Sequence, residues 1–170
     1  MPVLDQLSFT HLLWFVPLLF ALHNVEEAFG MERWSRAIHS PRPVTTPQFT
    51  VAVTLLTAIA FLLTGVAVTQ PPNSWSVYAV IAIQVVNLVN TFVPHLAATL
   101  RFRRYSPGVI TGSLLYLPFS LYLLQRAFQE HYLDTSGLLI LLALSPVIMV
   151  VAIFTSLSLG NILARHLRLS

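Results

Sequence analysis

Five uninterrupted apolar runs, each near the length of a membrane-crossing helix, dominate the chain. They lie at about 9–29, 48–69, 76–100, 108–125 and 137–164. A helix rising 1.5 Å per residue needs about 20 apolar residues to cross the hydrocarbon core of a bilayer. The runs are continuous rather than alternating, which argues against strands of a membrane barrel. The expected fold is therefore all-α: a single transmembrane domain, a polytopic bundle of five helices. Composition agrees. Hydrophobic residues make up 56% of the chain and charged residues 9%, where a water-soluble domain carries about 25% charged residues. The first run has no basic segment before it, only Asp5, and no small-residue cleavage site. It is expected to be a retained helix rather than a signal peptide.

Residue usage removes several chemistries. There is no cysteine, so disulfides, thiolate metal sites and cysteine nucleophiles are excluded. There is also no lysine, so a protein Schiff base is excluded. The basic pI of about 9.8 needs no nucleic-acid partner; loop arginines of a membrane protein account for it. Eight of the nine basic residues fall on one side if the five runs alternate. Those eight are Arg33, Arg36, Arg42, Arg101, Arg103, Arg104, Arg165 and Arg168; the other side has Arg126. The positive-inside rule then puts the N-terminus outside and the C-terminus in the cytoplasm, as expected for a bacterial inner-membrane protein. An odd number of spans is needed to give this split.

Polar residues within the runs mark where chemistry can occur, because they are costly at membrane depth. The first run ends in His23-Asn24-Val25-Glu26-Glu27. His23, Glu26 and Glu27 stand at i, i+3 and i+4, so they can share a helix face. The third run carries Gln84, Asn87, Asn90, Thr91 and His95. Of these, Gln84, Asn87, Thr91 and His95 step by three and four along one face. With the topology above, both clusters lie in the cytoplasmic leaflet. The fourth run starts there with Pro107, Gly108, Thr111, Gly112 and Ser113, small and hydroxyl residues that permit close helix approach.

Three segments carry a family resemblance: His23-Asn24-Val25-Glu26-Glu27; Asn87 to His95, reading NLVNTFVPH; and Arg104 to Thr111, reading RYSPGVIT. In their order and spacing the chain resembles the bacterial membrane-protein family named for its HXXEE motif. The resemblance implies a multi-helix membrane protein and marks these residues. It names no reaction.

Three chemistries fit this residue set. In the first, His23, Glu27 and His95 bind a divalent metal such as zinc or iron(II), with Glu26 or Glu27 as general base. Asn87, Asn90, Thr91 and Gln84 would contact substrate or orient the ligands. The second is metal-free acid–base catalysis by the paired glutamates, as in an isomerase or cyclase. The third is proton-coupled or small-solute transport, which the concentration of polar groups in one leaflet disfavours. The ordinary alternative is pairing and capping within the bundle. The expected substrate is a lipid or isoprenoid-like molecule entering from the bilayer. Arg101, Arg103 and Arg104 could meet an anionic headgroup, although setting topology is their commoner role. The 30–47 loop could cover the pocket or lie at the interface. A homo-oligomer is compatible with the sequence.

Overall fold

The computed structural model describes residues 4–72 and 74–166. Asn73 in the turn after the second run and Arg168, one of the eight topology-setting arginines, lie outside the described residues. Among the described residues all regular structure is helical. After a short 3-10 turn at Leu4–Gln6, five helical rods follow: α1 (Phe9–Ala37), α2 (Thr46–Ala67), α3 (Trp75–Phe102), α4 (109–129) and α5 (Thr135–His166). All but α4 are long and apolar enough to cross a membrane. α4 falls short because Thr111, Ser113, Tyr116, Ser120, Tyr122, Gln125 and Arg126 dilute its apolar content.

α1 runs further than its apolar stretch, through the first eight residues of the expected 30–47 loop, to Ala37. Glu32 explains part of this. Its Oε1 accepts from Arg36 one turn on, at 2.9 Å, and its Oε2 accepts from the Thr46 backbone N–H and hydroxyl at 2.6 and 2.7 Å. The same carboxylate thus supports the end of α1 and the start of α2, and the connection shrinks to 38–45. Side-chain oxygens also start α2 and α3: Thr45 accepts from Gln48 N–H and Ser74 from Val77 N–H.

The two ends of the bundle differ. At the end away from the arginine-rich loops, Phe9, Leu12, Leu13, Val16, Val77, Val80, Ile81, Leu123 and Ala127 form a buried apolar core. Toward the arginine-rich end the interior becomes polar. Large apolar side chains cover the outside along the length of the bundle, with Phe29 85% exposed and Leu62, Ile140, Val151 and Phe154 all open. Contiguous apolar exposure on this scale suits lipid rather than water as the surrounding solvent. α2 and α5 approach closely at Gly160, where a Cβ would sit 3.1 Å from Ala52 Cβ, and Gln48 Nε2 donates to the Leu157 carbonyl at 3.0 Å.

Candidate metal centre

The site begins with a break in α3. Pro94 has no N–H to offer the helix and biases the preceding residue toward extended backbone. Val93 accordingly leaves helical geometry, with φ −135° and ψ 112°, and Thr91–Leu96 form a widened turn. α4 carries a second widened segment, Gly112–Tyr116, directly across from it. Such segments often occur where a helix must present groups to a site. The break turns His95 inward and brings it back to Asn90, whose Nδ2 donates to His95 Nε2 at 2.9 Å. Five residues apart on a regular helix, these two would point in different directions.

His95 meets the first cluster inside the bundle. Glu27 Oε1 lies 3.3 Å from His95 Nε2 and 3.8 Å from His23 Nε2. One ligand atom from each of the three residues falls within 4.8 Å of the others. His23 and His95 are each 1% exposed and Glu27 8%. The two imidazoles meet edge to face, with ring centroids 4.9 Å apart. His23 Nδ1 stands 2.7 Å from Thr111 Oγ1, and the Thr111 hydroxyl faces the Gly108 carbonyl at 3.5 Å. With that hydroxyl turned to the Gly108 carbonyl, Thr111 accepts from His23 Nδ1–H and the lone pair is on His23 Nε2. That nitrogen is buried and has no hydrogen-bond partner among the described residues.

Three electron-pair donors thus converge in a buried space. Ligand atoms about 2.0–2.1 Å from one ion at tetrahedral angles stand about 3.3–3.5 Å apart. The two histidine–glutamate separations bracket that spacing. The residues present fit a divalent cation of the zinc or iron(II) class, with Thr111 as the outer partner that fixes one imidazole. An entering ion would displace the Asn90 amide from His95.

Glu26, adjacent in sequence, has a different task. Its Oε1 accepts from Tyr105 O–H at 2.5 Å, Gly108 N–H at 3.0 Å and Ile110 N–H at 3.2 Å; its Oε2 accepts from Thr111 N–H at 2.7 Å. These backbone donors are the open N–H groups at the start of α4, where a carboxylate is favoured by hydrogen bonding and by the helix dipole. Burial, with the hydrogen bond to Glu26, pushes the Tyr105 hydroxyl above its usual pKa. Glu26 does not line the cavity described below.

The turn that delivers Thr111 depends on Gly108. Its φ is +92°, and a Cβ there would lie 2.6 Å from His95 Cε1 and 2.7 Å from His23 Cε1. The glycine backbone is the surface against which both imidazoles rest.

A cavity of about 270 Å³ opens onto His23, Glu27 and His95. Asn24, Asn87, Asn90 and Ser106 add polar atoms near them, while Phe20, Leu56, Val86, Met149 and Ile153 form apolar walls. Trp34, from the segment read as loop, also lines it. Gln84 and Thr91 do not: Gln84 Nε2 donates to Ser120 Oγ at 2.6 Å, and Thr91 Oγ1 to the Asn87 carbonyl at 3.0 Å. Arg101, Arg103 and Arg104 are exposed and none of them lines the cavity. Tyr116 was not visible as a site residue, yet its ring packs 4.7 Å from that of His23. The available signal was the four-residue spacing of Gly108, Gly112, Tyr116 and Ser120, matching the polar face of α3.

Comparison with known proteins follows the same residues. "Uncharacterized protein YrkK" of Bacillus subtilis (strain 168) is 30% identical over 136 residues, covering 75% of this chain and 86% of that protein. No solved structure matches. The family described as "Protein of unknown function with HXXEE motif" matches residues 14–123, which take in α1 from Trp14, the kinked α3 and most of α4. The histidine and paired glutamates of its name are thus His23 and Glu27, two of the three clustered donors, and Glu26, which anchors α4, and the chain belongs to this HXXEE-motif family.

Proposed function

We propose that the chain is a metal-dependent hydrolase embedded in a bacterial cytoplasmic membrane, acting on a lipid or isoprenoid-like small molecule. All five rods cross the bilayer in this reading. The N-terminus is outside and the arginine-rich loops and C-terminus are in the cytoplasm. The observation that carries the reading is the convergence of His23 Nε2, His95 Nε2 and Glu27 Oε1 at the end of an apolar cavity. Three electron-pair donors this close need a cation or a proton between them. A divalent ion supplies Lewis acidity and activates water for hydrolysis.

The protein's own groups supply the rest. His23, held by Thr111, and His95 are ligands of fixed direction; Glu27 contributes the charge. Asn90, once displaced from His95, and Asn87 face the substrate's polar end. The apolar walls hold its tail. A cavity of about 150 Å³ takes a benzene ring, so about 270 Å³ holds roughly a dozen heavy atoms, the head and first part of a lipid. Arg101, Arg103 and Arg104 meet an anionic headgroup at the surface.

One observation favours a second reading, metal-free acid–base catalysis as in an isomerase or cyclase. The Asn90 amide already occupies the His95 lone pair, and Glu27 could carry the proton. Transport is the weakest fit, because the apolar core around Leu13, Val80 and Leu123 blocks the opposite half of the bundle.

Metal analysis of detergent-purified protein from cells supplied with zinc or iron tests the proposal. One equivalent per chain, lost in His23→Ala, is expected. Metal-free wild type after supplementation overturns it in favour of acid–base chemistry. Proton flux in liposomes that disappears in Glu27→Gln moves the assignment to transport.

A further inference from the structure

The contact between α3 and α4 continues beyond the metal-ligating group toward the bundle centre. The helices run antiparallel in a constant register. Gly108 faces His95, Gly112 faces Thr91 with a Cβ position 3.1 Å from Thr91 Oγ1, and Ser120 bonds Gln84. By the same register, Asn87 and Tyr116 share the one step between, where these two segments are in contact. Each step of four along α4 meets three or four along α3, so the seam is polar for more than three helical turns.

Three atoms on adjacent steps of this seam are unsatisfied. Gln84 Oε1, Asn87 Nδ2 and Tyr116 Oη are buried and have no hydrogen-bond partner among the described residues. All three side chains are more than nine-tenths buried. Native interiors rarely leave such groups unpaired, and in a membrane no bulk solvent lies nearby. In donor and acceptor type the set suits a small ligand. Asn87 Nδ2 donates, Gln84 Oε1 accepts, and Tyr116 Oη does either. A buried water normally makes two to four such bonds.

We propose that the α3–α4 seam is a structural hydration site, in which water bound by Gln84, Asn87 and Tyr116 lies behind the His23 imidazole. Asn87 borders both this seam and the cavity, and the Tyr116 ring packs on His23. The seam therefore holds water next to the ligands from the bundle side even when substrate fills the cavity. The inference does not depend on which ion, if any, the ligands carry.

The sign of one conservative substitution tests it. A dry, unpartnered phenol is a cost to the fold, so Tyr116→Phe would leave the melting temperature unchanged or raise it. A phenol bonded to trapped water is a gain, and its loss is expected to lower the melting temperature by about 2–5 °C. A second measurement combines Tyr116→Phe with Asn87→Ala. If both atoms share water, the combined fall is smaller than the two single falls together. An unchanged or raised midpoint in Tyr116→Phe, or strictly additive falls, overturns the proposal. A high-resolution structure with density between these three atoms supports it directly, and one with the three atoms in place and no density overturns it.

Discussion

Gly108→Ala is the perturbation whose consequence the structure defines best. The added Cβ would arrive 2.6 Å from His95 Cε1, 2.7 Å from His23 Cε1 and 2.9 Å from His95 Nδ1. Carbon contacts settle near 3.5–4.0 Å, so each ring must retreat by roughly 1 Å. The backbone adds its own penalty, because φ of +92° costs an L-residue about 1–2 kcal/mol. Forced overpacking costs about 1–3 kcal/mol more. The expected loss is about 2–5 kcal/mol, or a melting temperature roughly 5–15 °C lower for a chain of this size. Metal binding should suffer beyond stability, since ligand distances tolerate only about ±0.2 Å. The assay is thermal unfolding in detergent together with metal content per chain. Gly65→Ala is the control: a Cβ there meets only Trp14 Cη2, at 3.8 Å, and should leave both readouts intact. A Gly108→Ala protein with wild-type melting and wild-type metal content would refute the claim that this glycine seats both imidazoles.

The adjacent glutamates should give opposite phenotypes. Glu27→Gln is expected to lose the metal while melting like metal-free wild type, whereas Glu26→Ala, which strands the Gly108, Ile110 and Thr111 N–H groups, should cost on the order of 2–4 kcal/mol against that same metal-free reference; identical behaviour in the two assays would refute the division of labour. Thr111→Val removes the acceptor for His23 Nδ1 and should weaken metal affinity about 10–100-fold, measured by competition with a chelating dye; unchanged affinity counts against the fixed tautomer. Asp134 accepts from Gly137 N–H at 2.7 Å at the start of α5, and that bond with Ser136 holds its carboxyl below the usual 3.8. A depressed carboxyl stabilises the fold above its ordinary value and loses that contribution as pH falls through the folded one. The melting advantage of wild type over Asp134→Ala should therefore be full at neutral pH and shrink below about pH 4; a gap independent of pH would contradict the assignment.

Much of the fold can be read from residue patterns. The apolar runs predict the rods because a bilayer admits only backbone that satisfies itself. Where the reading falls short, the reason is local. α1 extends to Ala37, into the expected loop, because Glu32 holds Arg36 one turn on and also Thr46, 14 residues away in sequence. α4 has the length of a span but too many hydroxyl and aromatic residues to match the others, because its polar face meets α3 instead of lipid.

The sequence by itself determined which residues could do chemistry. HNVEE and the asparagine–histidine face of α3 stand out because polar groups in apolar runs are expensive. It also determined that both clusters lie toward one end of the bundle. Only the tertiary structure decided how the neighbouring glutamates divide. Glu26 and Glu27 are one residue apart, about 100° around the helix. That rotation sends one carboxylate to the N-terminus of α4 and the other between two histidines. Neither destination is encoded near residues 26 and 27. Each is set by where Pro94 bends α3 and where Gly108 lets the next helix begin.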